Sequence, residues 1–80
     1  VYPNPTSGQI KVSFSINEFA NTSISIKDIT GKTLQYINKG NLTPGIYTEK
    51  IDLSNFSKGI YLYELRLNNK TSNGKIVLTK

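Results

Sequence analysis

Cysteine, histidine, methionine and tryptophan are all absent from this 80-residue chain. Without cysteine there is no disulfide and no thiol nucleophile; without histidine there is no imidazole base, and the soft metal ligands are gone with them. A domain this small usually leans on cross-links, so this one must hold together by packing and backbone pairing alone. Alanine, the best helix former, occurs once. The longest aliphatic run, Ile76 to Leu78, falls far short of the about 20 residues that a membrane-spanning helix needs. The length excludes two domains, which would take about 150 residues or more. A start at Val1 with no methionine anywhere reads as a single domain, residues 1–80, excised from a longer secreted protein, with any export signal outside it.

Ten isoleucines, three valines and eight threonines supply the β-branched side chains that favour strands over helices, and predict an all-β fold. Ile10, Val12, Phe14 and Ile16 alternate with Lys11, Ser13 and Ser15, the two-residue period of a strand with one wet face. Ile24 and Ile26 alternate in the same way with Ser23, Ser25 and Lys27, and Leu34, Tyr36 and Ile37 mark a return strand. Between them, Asp28-Ile29-Thr30-Gly31-Lys32 has the chemistry of a tight reversal: Asp28 accepts from forward amides and Gly31 takes positive φ. Tyr47, Glu49, Ile51 and Leu53 share one face of a further strand, and Tyr61, Tyr63, Leu65 and Leu67 one face of the strongest, which should be central.

Asn38-Lys39-Gly40-Asn41 and Thr43-Pro44-Gly45 both read as turns. Asn68-Asn69-Lys70 and Asn73-Gly74 compete to open the last strand, Lys75 to Thr79. With a short strand at Val1 and Tyr2, the count is seven at spacings of about 8 to 12 residues, the rhythm of a small antiparallel immunoglobulin-like sandwich. Leu53 and Tyr61 flank a six-residue corner of the kind in which a tyrosine opening the sixth strand bonds back to upstream backbone. No internal repeat stands out.

The acids are Glu18, Asp28, Glu49, Asp52 and Glu64, scattered over different elements. A glycosidase needs only two carboxyls at fixed separation, but Asp28 and Asp52 are better explained as turn and corner residues. No calcium-loop spacing is present, and the sequence implies no cofactor or metal. The net charge of +5 invites a nucleic-acid reading. However, the ten basic residues are spread almost evenly, whereas a binding stripe would group them beside exposed aromatics, and Tyr47, Tyr61 and Tyr63 fall on inward faces. The lysines fit edge protection and solubility instead.

Several short pieces occur in a distinctive order. Tyr2-Pro3-Asn4-Pro5-Thr6-Ser7-Gly8 opens the chain; Asp28 with Gly31-Lys32, Leu42 with Gly45 and Tyr47, Asp52-Leu53-Ser54 and Lys58-Gly59-Ile60-Tyr61 follow; Lys75-Ile76-Val77-Leu78-Thr79-Lys80 ends it. In this order and spacing the chain resembles the C-terminal sorting domain of type IX secretion cargo, in its type A form. Pro3, Asn4, Pro5 and Gly8 make a stiff corner, and most of the matched glycines are turn residues, so much of the motif set reports the fold. The terminal strand Lys75 to Lys80 is the candidate for contact, its alternating Lys75, Val77 and Thr79 offering backbone for strand addition and side chains for pockets. Simply completing the sheet is the equal alternative.

The resemblance implies a non-catalytic address label. Such a domain directs a secreted protein from the periplasm through an outer-membrane translocon of Gram-negative bacteria, with a shuttle protein and a sortase-like peptidase as further partners. The label is usually removed and the cargo released or joined to anionic lipopolysaccharide. The rival readings are an immunoglobulin-like spacer or glycan-binding module of a multidomain secreted enzyme, which the fold does not separate from a label, and a basic nucleic-acid binder.

Overall fold

The computed structural model describes Tyr2 and residues 5–79. Six strands form in chain order: β1 (Gln9–Ile16), β2 (Ala20–Lys27), β3 (Thr33–Leu42), β4 (Gly45–Asp52), β5 (Gly59–Leu67) and β6 (Lys70–Leu78). β1 and β4 make a two-stranded sheet, and the other four a sheet in the order β3-β2-β5-β6. All strand pairs are antiparallel. The chain passes between layers from β1 to β2, from β3 to β4 and from β4 to β5, so β2 and β5 become neighbours with two strands between them in sequence, the crossing of an immunoglobulin-like sandwich.

The period of two does the sorting of side chains. Ile10, Val12 and Ile51 point inward from the two-stranded sheet, and Ile24, Ile26, Tyr61, Leu65, Ile76 and Leu78 from the four-stranded one. Full burial of each such isoleucine or leucine contributes about 1.5–3 kcal/mol, which is how a chain without cross-links meets the entropy of folding. β5 is one of two interior strands, as its pattern predicts; β2 is the other and is the more enclosed. Ser23 and Ser25, expected on a wet face, are buried. Ser25 lies between Tyr36 and Glu64 in neighbouring strands, and Ser23 between Asn38 and Arg66, so small residues sit beneath larger ones.

Three further sequence expectations need correction. The seventh strand is reduced to isolated bridges: Tyr2 pairs antiparallel with Lys11, and Thr6 pairs parallel with Leu78; Val1 lies outside the described residues. The segment thus contacts β1 of one sheet and then β6 of the other. Second, Asn38–Asn41 is no turn but part of β3, where Thr22 faces Gly40 and Ser23 faces Asn38, leaving Lys39 as the extra residue of a bulge. Gly40 has φ 70° and its amide donates to the Asn38 side chain at 2.9 Å, so the residues that mimic a turn serve a kink within the strand. Third, the last strand begins at Lys70, not Lys75.

Asn68-Asn69 closes the last hairpin because Asn68 accepts the left-handed conformation (φ 55°) and is pinned from outside. Its side-chain oxygen accepts from the Asn21 amide at 2.8 Å, its amide donates to the Asn21 carbonyl at 2.9 Å, and its side-chain nitrogen donates to the Phe19 carbonyl at 3.2 Å. Gly74 lies inside β6 opposite Tyr63. A Cβ there would stand 2.6 Å from Cζ of that ring, so the glycine marks close approach of an aromatic side chain rather than a reversal.

Candidate functional site

The predicted contact strand is deeply engaged in the fold. Of its residues, Ile76 and Leu78 are fully buried core, Val77 is half-buried, and Lys75 and Thr79 are exposed. Lys80 lies outside the described residues. β6 is an edge strand, but the edge is occupied at its end: the Thr6 amide donates to the Val77 carbonyl at 2.8 Å, and the Thr79 amide donates to the Thr6 carbonyl at 2.8 Å. The Thr79 hydroxyl donates to the same Thr6 carbonyl at 3.1 Å. Backbone that strand addition would use is thus bonded to the N-terminal segment, and the Thr79 side chain with it.

Thr6, not singled out in the sequence, is buried. Its hydroxyl donates to the Gln9 carbonyl at 2.7 Å and accepts from the Gly8 amide at 3.1 Å, which turns the chain from β6 into β1. Gly8 is buried beside Ser54, and its carbonyl accepts from the Leu53 amide at 2.7 Å. Pro5 is exposed at a bend. Pro3 and Asn4, the remaining members of the expected stiff corner, lie outside the described residues. A threonine between a proline-rich turn and a strand has no pattern that distinguishes it from a loop residue, so only the long-range pairing reveals it.

What remains open around the terminal strand is the outward face of the sheet. Val77 is paired with Ile60 and Lys75 with Leu62 across β5, and cross-strand partners share a face. Ile60 is 47% exposed and Leu62 36%. The patch is bounded by the ion pair between Lys27 and Glu64 at 3.6 Å. The strand therefore presents side chains on an apolar and basic face, while its inward residues hold the core.

The other matched motifs fall in turns and corners. Asp28 accepts from the amides of Thr30 at 2.9 Å and Lys32 at 3.0 Å, and from the Thr30 hydroxyl. That hydroxyl bond is the largest influence and, joined by the two amides and the nearby Lys32 charge, holds the carboxyl below its usual range against the opposing effect of desolvation. Gly31 has φ 93°. Asp52 accepts from the Ser54 amide at 2.9 Å, and Leu53, fully buried, begins the corner. Tyr61 ends that corner: its hydroxyl donates to the Ser57 carbonyl at 2.6 Å, and its ring lies 5.5 Å from that of Phe56.

A second tyrosine does the same. The Tyr47 hydroxyl donates to the Thr43 carbonyl at 2.6 Å, again four residues upstream, and the ring stacks on Phe14 at 5.7 Å. Gly45-Ile46-Tyr47 and Gly59-Ile60-Tyr61 are thus copies of one device, with φ 159° and 152° at the two glycines. The repeated Gly-Ile-Tyr is a legible signal that reading for whole-domain repeats misses. Each tyrosine fixes the point at which the chain enters a strand after changing layers, which sets the register of β4 and β5.

Two surface depressions among the described residues each bring one carboxylate, Glu18 in the first and Glu64 in the second. Neither supplies the pair that glycoside hydrolysis needs. Among the described residues no group of three acids gathers to hold a cation, and no helix is long and apolar enough to cross a membrane.

Comparison with curated proteins and with solved structures gives no significant match. Comparison with protein families matches residues 1–79 to the family described as the secretion system C-terminal sorting domain, whose members are in general non-catalytic and serve type IX export through the outer membrane to the surface or beyond. The match takes in the corner at Gly8, both tyrosine devices and the terminal strand, and on it this chain belongs to the type IX C-terminal sorting domain family.

Proposed function

We propose that residues 1–80 are one autonomous address label that carries a covalently attached cargo from the periplasm through the type IX translocon, where a sortase-like peptidase then removes it. The label performs no reaction itself. The observation that carries this reading is the family match over residues 1–79, which includes β6 with its exposed and half-buried positions. Recognition by the export machinery, including a shuttle protein, reads the outward face formed by Val77 and Lys75 with Ile60 and Leu62. The engagement of Thr6 with Val77 and Thr79 favours a folded face over a released strand. The charge of the face is modest, so apolar contact carries more of the affinity than ion pairing.

Deleting Lys75 to Lys80 does not test this, because it takes Ile76 and Leu78 out of the core. The informative experiment fuses the domain to an inert passenger in a type IX-competent host and compares the wild type with Leu62→Asp and Lys75→Glu, each checked for an unchanged thermal transition. The wild-type fusion reaches the surface or medium; Leu62→Asp leaves most passenger in the periplasm; Lys75→Glu loses little. Full export of folded Leu62→Asp overturns the proposed face, and periplasmic retention of the wild-type fusion overturns the address-label reading in favour of a spacer.

A further inference from the structure

The strand edges of this sandwich are not alike. β1 is covered at Lys11 by Tyr2, with backbone bonds in both directions at 2.7 and 3.0 Å, and β6 is covered at its end by Thr6. β3 carries two register shifts, with Gly40 in the left-handed region; bulges of this kind twist an edge out of reach. β4 has none of these protections. It runs from Gly45 to Asp52 in unbroken register with β1 and, among the described residues, no element pairs with its other side.

The direction of its backbone groups follows from β1. Both groups of Lys11 are used by Tyr2, so Lys11 and its partner Lys50 form a non-hydrogen-bonded pair, and Lys50 directs its own N–H and C=O away from β1. Antiparallel pairing alternates, so Thr48 and Ile46 do likewise; the bond from the Leu53 amide to the Gly8 carbonyl fits the same phase. An immunoglobulin-like sandwich places a further strand beside this one, and none of the described residues occupies that place.

We infer that β4 is an acceptor edge for an extended segment of another protein, which pairs antiparallel with Ile46, Thr48 and Lys50 and places an acidic residue opposite Lys50 and an apolar one opposite Ile46. The geometry of unpaired backbone calls for a strand. The side chains select its chemistry. Lys11 and Lys50 stand directly opposite each other on the outward face, a like-charge pair that disfavours the sheet, and no carboxylate lies within ion-pair distance of either among the described residues. Ile46 is 85% exposed at the other end of the same row. An acid on the incoming strand relieves the first and an apolar side chain covers the second. A second copy fits worse, since it brings a further net charge of +5 and, paired antiparallel about Thr48, sets Ile46 of one copy opposite Lys50 of the other. The inference stands apart from the sorting reading, because it rests on the β4 edge that the described residues leave unpaired and not on what the domain serves.

The test uses the isotope-labelled domain and the peptide acetyl-Thr-Glu-Val-Thr-Val-Val-Thr-amide, with a control in which lysine replaces the glutamate. The acidic peptide slows amide exchange at Ile46, Thr48 and Lys50, and the lysine control binds about tenfold more weakly. Thr48→Pro removes an outward amide without touching the ladder to β1 and abolishes binding; Lys50→Glu, which leaves the backbone intact, reverses the preference between the two peptides. Equal affinity for both peptides, protection confined to β3 or β6, or concentration-dependent self-association through β4 in the absence of peptide would each overturn the proposal.

Discussion

The twin tyrosines allow one interaction to be weighed in two surroundings. Tyr61→Phe and Tyr47→Phe each delete a hydroxyl that donates to a carbonyl four residues upstream at 2.6 Å, and each keeps its ring and so its contact with Phe56 or Phe14. A net hydrogen bond is worth about 0.5–1.5 kcal/mol, and more when the abandoned partner is cut off from water. The Tyr61 side chain is buried and its bond partly so, whereas the Tyr47 bond is exposed and water can replace it. Tyr61→Phe should therefore cost about 1.5 kcal/mol and Tyr47→Phe about 0.5 kcal/mol. Against the roughly 4–12 kcal/mol available to a domain of this length, the first loss lowers the melting temperature by about 6–12 °C. Urea unfolding should show a shifted midpoint at constant slope for both. Equal losses, or a Tyr61→Phe midpoint matching the wild type, would refute the claim that burial of the corner decides the value of its bond.

Gly74→Ala drives a Cβ into the Tyr63 ring and should cost about 1–3 kcal/mol by overpacking; in a Tyr63→Ala background the same change should be nearly neutral, a non-additivity that urea titration of the four variants measures. The lowered Asp28 pKa means that the folded state binds fewer protons than the unfolded one as the carboxyl titrates. Its contribution is present above the unfolded-state pKa and fades as pH falls through the folded value. An NMR titration should show the Thr30 and Lys32 amides losing protection in that acid range, and Asp28→Asn should remove the transition; unchanged amides would sink the assignment.

The strands legible from sequence are those whose surroundings match a simple rule. β1, β4 and β5 have one face in the core and one in water, so alternation names their inward residues. β2 hides on both sides, and Ser23 and Ser25 give no sign of it because small hydroxyl residues suit a wet face equally well. Asn38–Asn41 and Asn73-Gly74 mislead for a shared reason: glycine is needed wherever backbone takes an unusual dihedral or a ring comes close, and a turn is only one such place. The two open or covered edges that matter for binding depend on pairings such as Thr6 with Leu78, and contacts so distant in sequence leave no local pattern. The motif set was readable as a family resemblance, but the burial of Ile76 and Leu78 divides the terminal strand between core and surface in a way its letters alone do not.

The bonds from Thr6 to Val77 and Thr79 join opposite ends of the chain, and two core side chains arrive only at positions 76 and 78. Closure of the sandwich therefore waits on the synthesis of β6, since no earlier segment of the domain supplies those contacts and long-range pairings are the slowest to form. A polypeptide truncated before β6 cannot complete the fold, so the finished domain doubles as a certificate that synthesis has passed Leu78.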